Sequence, residues 1–66
     1  MLKISLASAR VNKGLTQKDA ANALGVSNCT LGNWETGRSF PTPPMIHKIC
    51  ELYGIHYDNI RFEEKK

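Results

Sequence analysis

The chain has 66 residues, a formal net charge of +3 and 2 cysteines. That length allows one domain with a small core and leaves no room for an enzyme that builds a deep pocket on its own scaffold. The basic balance favours an acidic partner such as nucleic acid. Cys29 and Cys50 form neither a Cys-x-x-Cys pair nor a disulfide framework, which points to a reduced, cytoplasmic setting. Met1–Leu6 is too short for the apolar stretch of a signal peptide, and no apolar run approaches the ~20 residues that span a bilayer.

In chain order, Leu6 and Ala9, with Ile4, line one face of a first helix at the 3.6 period. Val11 is peripheral, and Asn12-Lys13-Gly14 stops this helix, with Gly14 suited to a left-handed terminal position. Thr16 is a good N-cap for a second helix and Asp19 follows three residues on, close to a capping box. Ala20, Ala21 and Leu24 share a face of it, and the two alanines let a neighbouring helix approach closely. Gly25 ends it, Val26 fills the turn and Ser27 caps a third helix running to about Thr36. At 100° per residue, Leu31, Trp34 and Glu35 share one side of that helix, while Cys29, Gly32, Asn33 and Thr36 share the other. Asn28 and Thr30 flank the outer side, and Gly37 closes the helix.

Ser39-Phe40-Pro41 reads as a loop. Thr42 is placed to cap a fourth helix with Pro43 at its first position and an apolar stripe of Ile46, Ile49, Cys50 and Tyr53. Gly54 stops it. Ile55 and Ile60 bracket a short fifth turn or helix around Tyr57-Asp58-Asn59, and Ile60-Arg61-Phe62 either ends that helix or begins a short strand. The expectation is an all-α bundle of about five short helices over residues 1–62, with a frayed charged tail at 63–66.

Two short helices joined by a tight turn, the second with a polar outer face, form the layout of a helix-turn-helix. Gly14-Leu15-Thr16-Gln17, Ala20-Ala21, Leu24-Gly25-Val26-Ser27, Leu31, Trp34-Glu35, Gly37 and Pro41 resemble the lambda-repressor-like, Cro/C1-type (XRE) helix-turn-helix family over roughly residues 4–60. The resemblance implies a compact five-helix domain that acts as a phage, prophage or small bacterial regulator, in most cases a repressor. Its second helix would cross the DNA backbone and its third would enter the major groove, as a homodimer on a pseudo-palindromic operator. The sequence departs from the family pattern at Ala9 and Ala20, which replace larger aliphatics, and at Phe40, an extra aromatic beside the DNA-facing loop. His56 stands where a better helix cap is usual. Gly32 lies inside the third helix at a cost of about 0.8–1 kcal/mol relative to alanine.

The resemblance makes Gln17 a phosphate contact. Thr30, Arg38 and Ser39 are further candidates for the DNA backbone, with Lys13 and Arg10 behind them. Asn28 and Asn33 stand where the family reads bases, and an asparagine amide matches N6 and N7 of adenine; Cys29 could meet a thymine methyl. Arg10 and Glu35 occupy sites that the family often pairs, which would tie the first helix to the third. Trp34 reads as core. Tyr57, Ile60 and Phe62 exceed what a small core absorbs and are candidates for a dimer contact. His47, Cys50 and His56 lack the four-ligand spacing of a zinc site, and no nucleophile, paired carboxylates or phosphate loop supports catalysis. No cofactor, small-molecule ligand or membrane is implied. The rival reading is a protein-interaction module, an antirepressor or adaptor, on the same scaffold.

Overall fold

The computed structural model describes residues 3–62. In order these form β1 (Ile4–Ser5), α1 (Leu6–Asn12), α2 (Gln17–Leu24), α3 (Asn28–Thr36), α4 (Pro43–Tyr53), a 3-10 turn (Tyr57–Asn59) and β2 (Ile60–Arg61). The class is mainly helical. The fifth helix is reduced to the single 3-10 turn, closed by the Asn59 N–H donating to the His56 carbonyl at 2.9 Å. The chain then enters a strand and not more helix: β2 pairs in parallel with β1, Ile4 opposite Ile60.

That pairing also moves Ile4 off the first helix. Ser5 adopts an extended backbone and its Oγ accepts from the Ser8 N–H at 3.1 Å, so the helix begins after it. A hydroxyl that satisfies one of the free N–H groups of the first turn fixes a helix start more firmly than an apolar period does. The same device starts α2, where Thr16 Oγ1 accepts from the Asp19 N–H, and α3, where Ser27 Oγ accepts from the Thr30 N–H. Thr42 precedes α4 but makes no such bond. Pro43 and Pro44 carry no N–H, so the donors that a cap would satisfy are largely missing already.

The core is Leu6, Ala9, Ala20, Ala21, Leu24, Leu31, Trp34, Ile49, Tyr53 and Ile60. Every helix contributes to it, and β2 closes it through Ile60. Ala20 and Ala21 are fully buried where α2 meets the other helices, so their small size sets how closely the backbones approach. The turn between α2 and α3 depends on Gly25, whose φ of 76° is a left-handed conformation that side-chain-bearing residues rarely adopt. It lets the Val26 N–H return to the Ala21 carbonyl at 2.9 Å and fixes the angle at which α3 departs. Lys48 of α4 reaches the Leu24 carbonyl at the same end of α2. The charged tail at 63–66 lies outside the described residues.

Candidate nucleic-acid interface

The exposed side of α3 begins at its N-terminus. Asn28 and Cys29 are exposed, and Asn33 is half-buried one turn further along. Among the described residues the side-chain amides of Asn28 and Asn33 have no partner, so their donor and acceptor pairs are available to a ligand. Ser27 Oγ donates to Thr30 Oγ1 at 3.0 Å, which leaves the Thr30 O–H to donate outwards. Past α3, the backbone N–H groups of Arg38 and Ser39 both donate to the Asn33 carbonyl, at 2.9 and 3.4 Å. This folds the segment back against the end of the helix and leaves both side chains exposed beside it.

Behind this face lies a polar clamp. Arg10 Nε donates to Glu35 Oε2 at 2.8 Å, and Arg10 Nη1 donates to the Leu15 carbonyl at 2.9 Å. Gln17 Nε2 donates to Glu35 Oε1 at 3.1 Å. One carboxylate of α3 therefore engages α1 with one oxygen and α2 with the other. The side chains of Arg10 and Glu35 are 14% and 7% exposed. Tyr53 of α4 lies within the field of the same charges. Burial pushes its phenol up to about 12; the negative charge of Glu35 adds to this and the positive charge of Arg10 opposes it. The Tyr53 hydroxyl is buried with no hydrogen-bond partner among the described residues.

The geometry sorts the sequence-derived candidates. Asn28, Cys29, Thr30, Asn33, Arg38 and Ser39 gather on or beside the outer side of α3. Gln17 stands at the first position of α2, half-buried against Glu35. Arg10 does not join that surface: its guanidinium faces inward and two of its donors are committed, which argues against the DNA-backbone contact expected of it. Lys13 is exposed, but its ammonium lies beside Gly54, 3.6 Å from where a Cβ would stand there. That is the C-terminal end of α4, where a helix favours a cation.

Ile60 is 4% exposed and belongs to the core, so it is no surface contact for a second copy. Its register against Ile4 in the strand pair is what buries it. Tyr57 is 56% exposed, and its ring meets that of Phe62 with centroids 6.0 Å apart. Phe62 in turn meets Phe40 edge-on at 6.4 Å. With Pro41 and Ile46 these rings line a shallow apolar cleft. Around the end of α4, His47, Cys50, Glu51 and His56 line a second depression. Among the described residues no three His, Cys, Asp or Glu side chains converge well enough to hold a metal ion. No described helix is long and apolar enough to cross a membrane.

Sequence reasoning missed the Gln17–Glu35 bond. Gly32 stands three residues before Glu35 and so near the same edge of α3. A Cβ on Gly32 would lie 3.5 Å from Gln17 Nε2. Dividing α3 into two opposite sides hid this, because both residues sit at the boundary between them.

A helix-turn-helix family profile matches residues 6–60. Antitoxin PezA of Streptococcus pneumoniae is 31% identical over 65 residues, 98% of this chain and 41% of its own length. The HTH-type transcriptional regulator ImmR of Bacillus subtilis is 36% identical over 53 residues, 80% of this chain and 42% of its own. The uncharacterized HTH-type transcriptional regulator YazB of Bacillus subtilis is 36% identical over 53 residues, 80% of this chain and 77% of its own. The chain thus spans about two fifths of PezA and ImmR and over three quarters of YazB. The capped α2–turn–α3 unit, the core around it and the profile that covers nearly all of both agree: the chain belongs to the XRE-type helix-turn-helix family.

Proposed function

We propose that this chain is a sequence-specific double-stranded DNA-binding transcriptional regulator, a repressor, which reads the major groove with α3 and acts in the cytoplasm of a bacterial or phage-infected cell. The observation that carries this reading is the pair of unpartnered amides, Asn28 and Asn33, on the exposed side of a helix held firmly from behind. Base readout needs such donor–acceptor pairs on a rigid mount. Cys29 stands between them for an apolar contact. Gln17, Thr30, Arg38 and Ser39 supply backbone contacts, and Lys13 adds a general cationic contribution at most. The family assignment and two relatives named as transcriptional regulators support the same reading. The chain needs no cofactor and performs no catalysis in this role.

A homodimer on a pseudo-palindrome is the matching assembly, with Phe40, Tyr57 and Phe62 as the surface that meets a second copy. The same exposed aromatic cluster also favours a second reading, a protein-interaction module that uses the scaffold without DNA.

Selection of sites from a random duplex pool, at low and at physiological salt, separates these readings. The expected result is a pseudo-palindrome with half-sites about one helical turn apart, bound less tightly as salt rises. Asn33→Ala is then expected to cost about 1–3 kcal/mol and relax one base position per half-site. An unchanged base preference removes Asn33 from the reading. Absence of binding at both salt concentrations replaces it with the interaction module.

A further inference from the structure

We infer that Glu35 and Gly32 are positioning residues for Gln17: Glu35 holds its amide from below, and Gly32 puts no long side chain beside it. The inference rests on the DNA-binding reading and names what aims one of its backbone contacts.

A free glutamine at the start of a helix samples several rotamers and would lose most of them on binding a phosphate. Gln17 is not free in this sense. Its Nε2 carries two hydrogens, and one of them goes to Glu35 Oε1 at 3.1 Å. Glu35 is itself fixed, because its other oxygen accepts from Arg10 Nε at 2.8 Å and Arg10 is anchored on the Leu15 carbonyl. The chain of bonds runs from α1 through α3 to α2, and it leaves the second amide hydrogen of Gln17 to donate elsewhere. That hydrogen is the one available to a phosphate oxygen.

Gly32 supplies the other half of the arrangement. It lies in the middle of α3, where glycine is unfavourable for the helix. A Cβ built on it stands 3.5 Å from Gln17 Nε2 and 3.9 Å from Gln17 Oε1. A methyl group would rest against the amide at ordinary contact distance, and a longer side chain would contest its place. Gly32 has no left-handed backbone to require a glycine. The space beside the Gln17 amide is one that a small residue leaves open and a long side chain would occupy.

The test uses the duplex obtained by site selection, with single neutral methylphosphonates placed at each backbone position in turn. One phosphate per half-site is expected to affect affinity in the unmodified protein and to lose that effect in Gln17→Ala; this is the Gln17 phosphate. Gly32→Leu is expected to weaken binding about tenfold, to abolish sensitivity at that same phosphate, and to keep the base preference of the site. It is expected to have no further effect in a Gln17→Ala background. A second variant, Arg10→Met with Glu35→Leu, replaces the ion pair with apolar groups of similar size so that the fold survives. It is expected to lose the same phosphate and no other.

Two results overturn the inference while leaving the DNA-binding reading intact. One is a Gly32→Leu penalty that persists without Gln17, which marks a clash with DNA. The other is full sensitivity at the Gln17 phosphate in the Arg10→Met, Glu35→Leu protein. A protein that selects no site removes the reading and the inference together.

Discussion

Helices α2 and α3 are alike in construction and opposite in employment. Each is two to three turns long, each begins at a hydroxyl cap and each ends at a left-handed glycine. Yet α2 buries Ala20, Ala21 and Leu24, while the longer α3 buries only Leu31 and Trp34. The deficit in α3 is the face that carries Asn28, Cys29 and Asn33. What it lacks in apolar contact it regains through Glu35, whose carboxylate ties it to α1 and α2. One helix is held by packing, therefore, and the other by packing at two points and a charged clamp at a third. Surface kept free for a ligand cannot contribute to the core, and a buried polar link adds little net stability but is costly to break from one side.

The largest expected effect breaks the clamp. Glu35→Ala leaves the Arg10 guanidinium buried without its counter-charge and is expected to cost about 3–5 kcal/mol, a large share of what a domain this small has. Urea unfolding followed by circular dichroism measures it. A loss under about 1 kcal/mol would mean that α3 is held by packing after all, and the contrast with α2 would fall.

Tyr53, packed beside the clamp, has a pH signature of its own that comes first from its burial. Its folded pKa, about 12, lies above the ordinary value of 10.0. Stability linked to the neutral phenol is therefore complete below pH 10 and is lost as pH climbs from there through about 12, by up to roughly 2–3 kcal/mol. Thermal melts across that range are expected to show the decline in the native protein and a flatter profile in Tyr53→Phe. At neutral pH the substitution is expected to change stability by less than about 1 kcal/mol, because the hydroxyl it removes has no partner among the described residues. A large neutral-pH loss would reveal a hydrogen bond through an ordered water.

The packed helix is probed from the other direction. Ala20 is fully buried. Ala20→Leu adds volume at this fully buried position and is expected to cost about 1–3 kcal/mol, measured by the same urea titration. A gain in stability would mean that the small residues of α2 leave unfilled space, and that this helix too is loosely held.

Much of this contrast was legible in the sequence, for physical reasons that differ by element. Thr16, Gly25 and Ser27 mark the bounds of α2 and α3 because caps and left-handed glycines act locally and leave a signature within four residues. Leu31 and Trp34 were legible because a helix of known bounds has a fixed period. The strand pair was not, since Ile4 and Ile60 are far apart in sequence and two residues give no period of their own. That long-range pairing turned Ile60 from a candidate surface contact into core and moved Ile4 off α1. The Arg10–Glu35 pair was legible through the family resemblance, but the reach of Gln17 to the same carboxylate was not, because sequence spacing does not say where a long polar side chain ends.

The smallest expected effect sharpens the comparison most. Gly32→Ala places a methyl group at ordinary contact distance from the Gln17 amide. The backbone there is ordinary helix, so the change is expected to stabilise the protein by about 0.4–1 kcal/mol, read as a shift in the urea midpoint. Measured together with affinity for the selected duplex, it separates two accounts of why α3 differs from α2. If affinity rises with stability, α3 is limited by its own order, and the glycine is a cost that this helix carries without return. If stability rises while affinity falls, the space over Gly32 serves the Gln17 amide. In that case α3 gives up helical stability at its centre to hold a contact that belongs to α2.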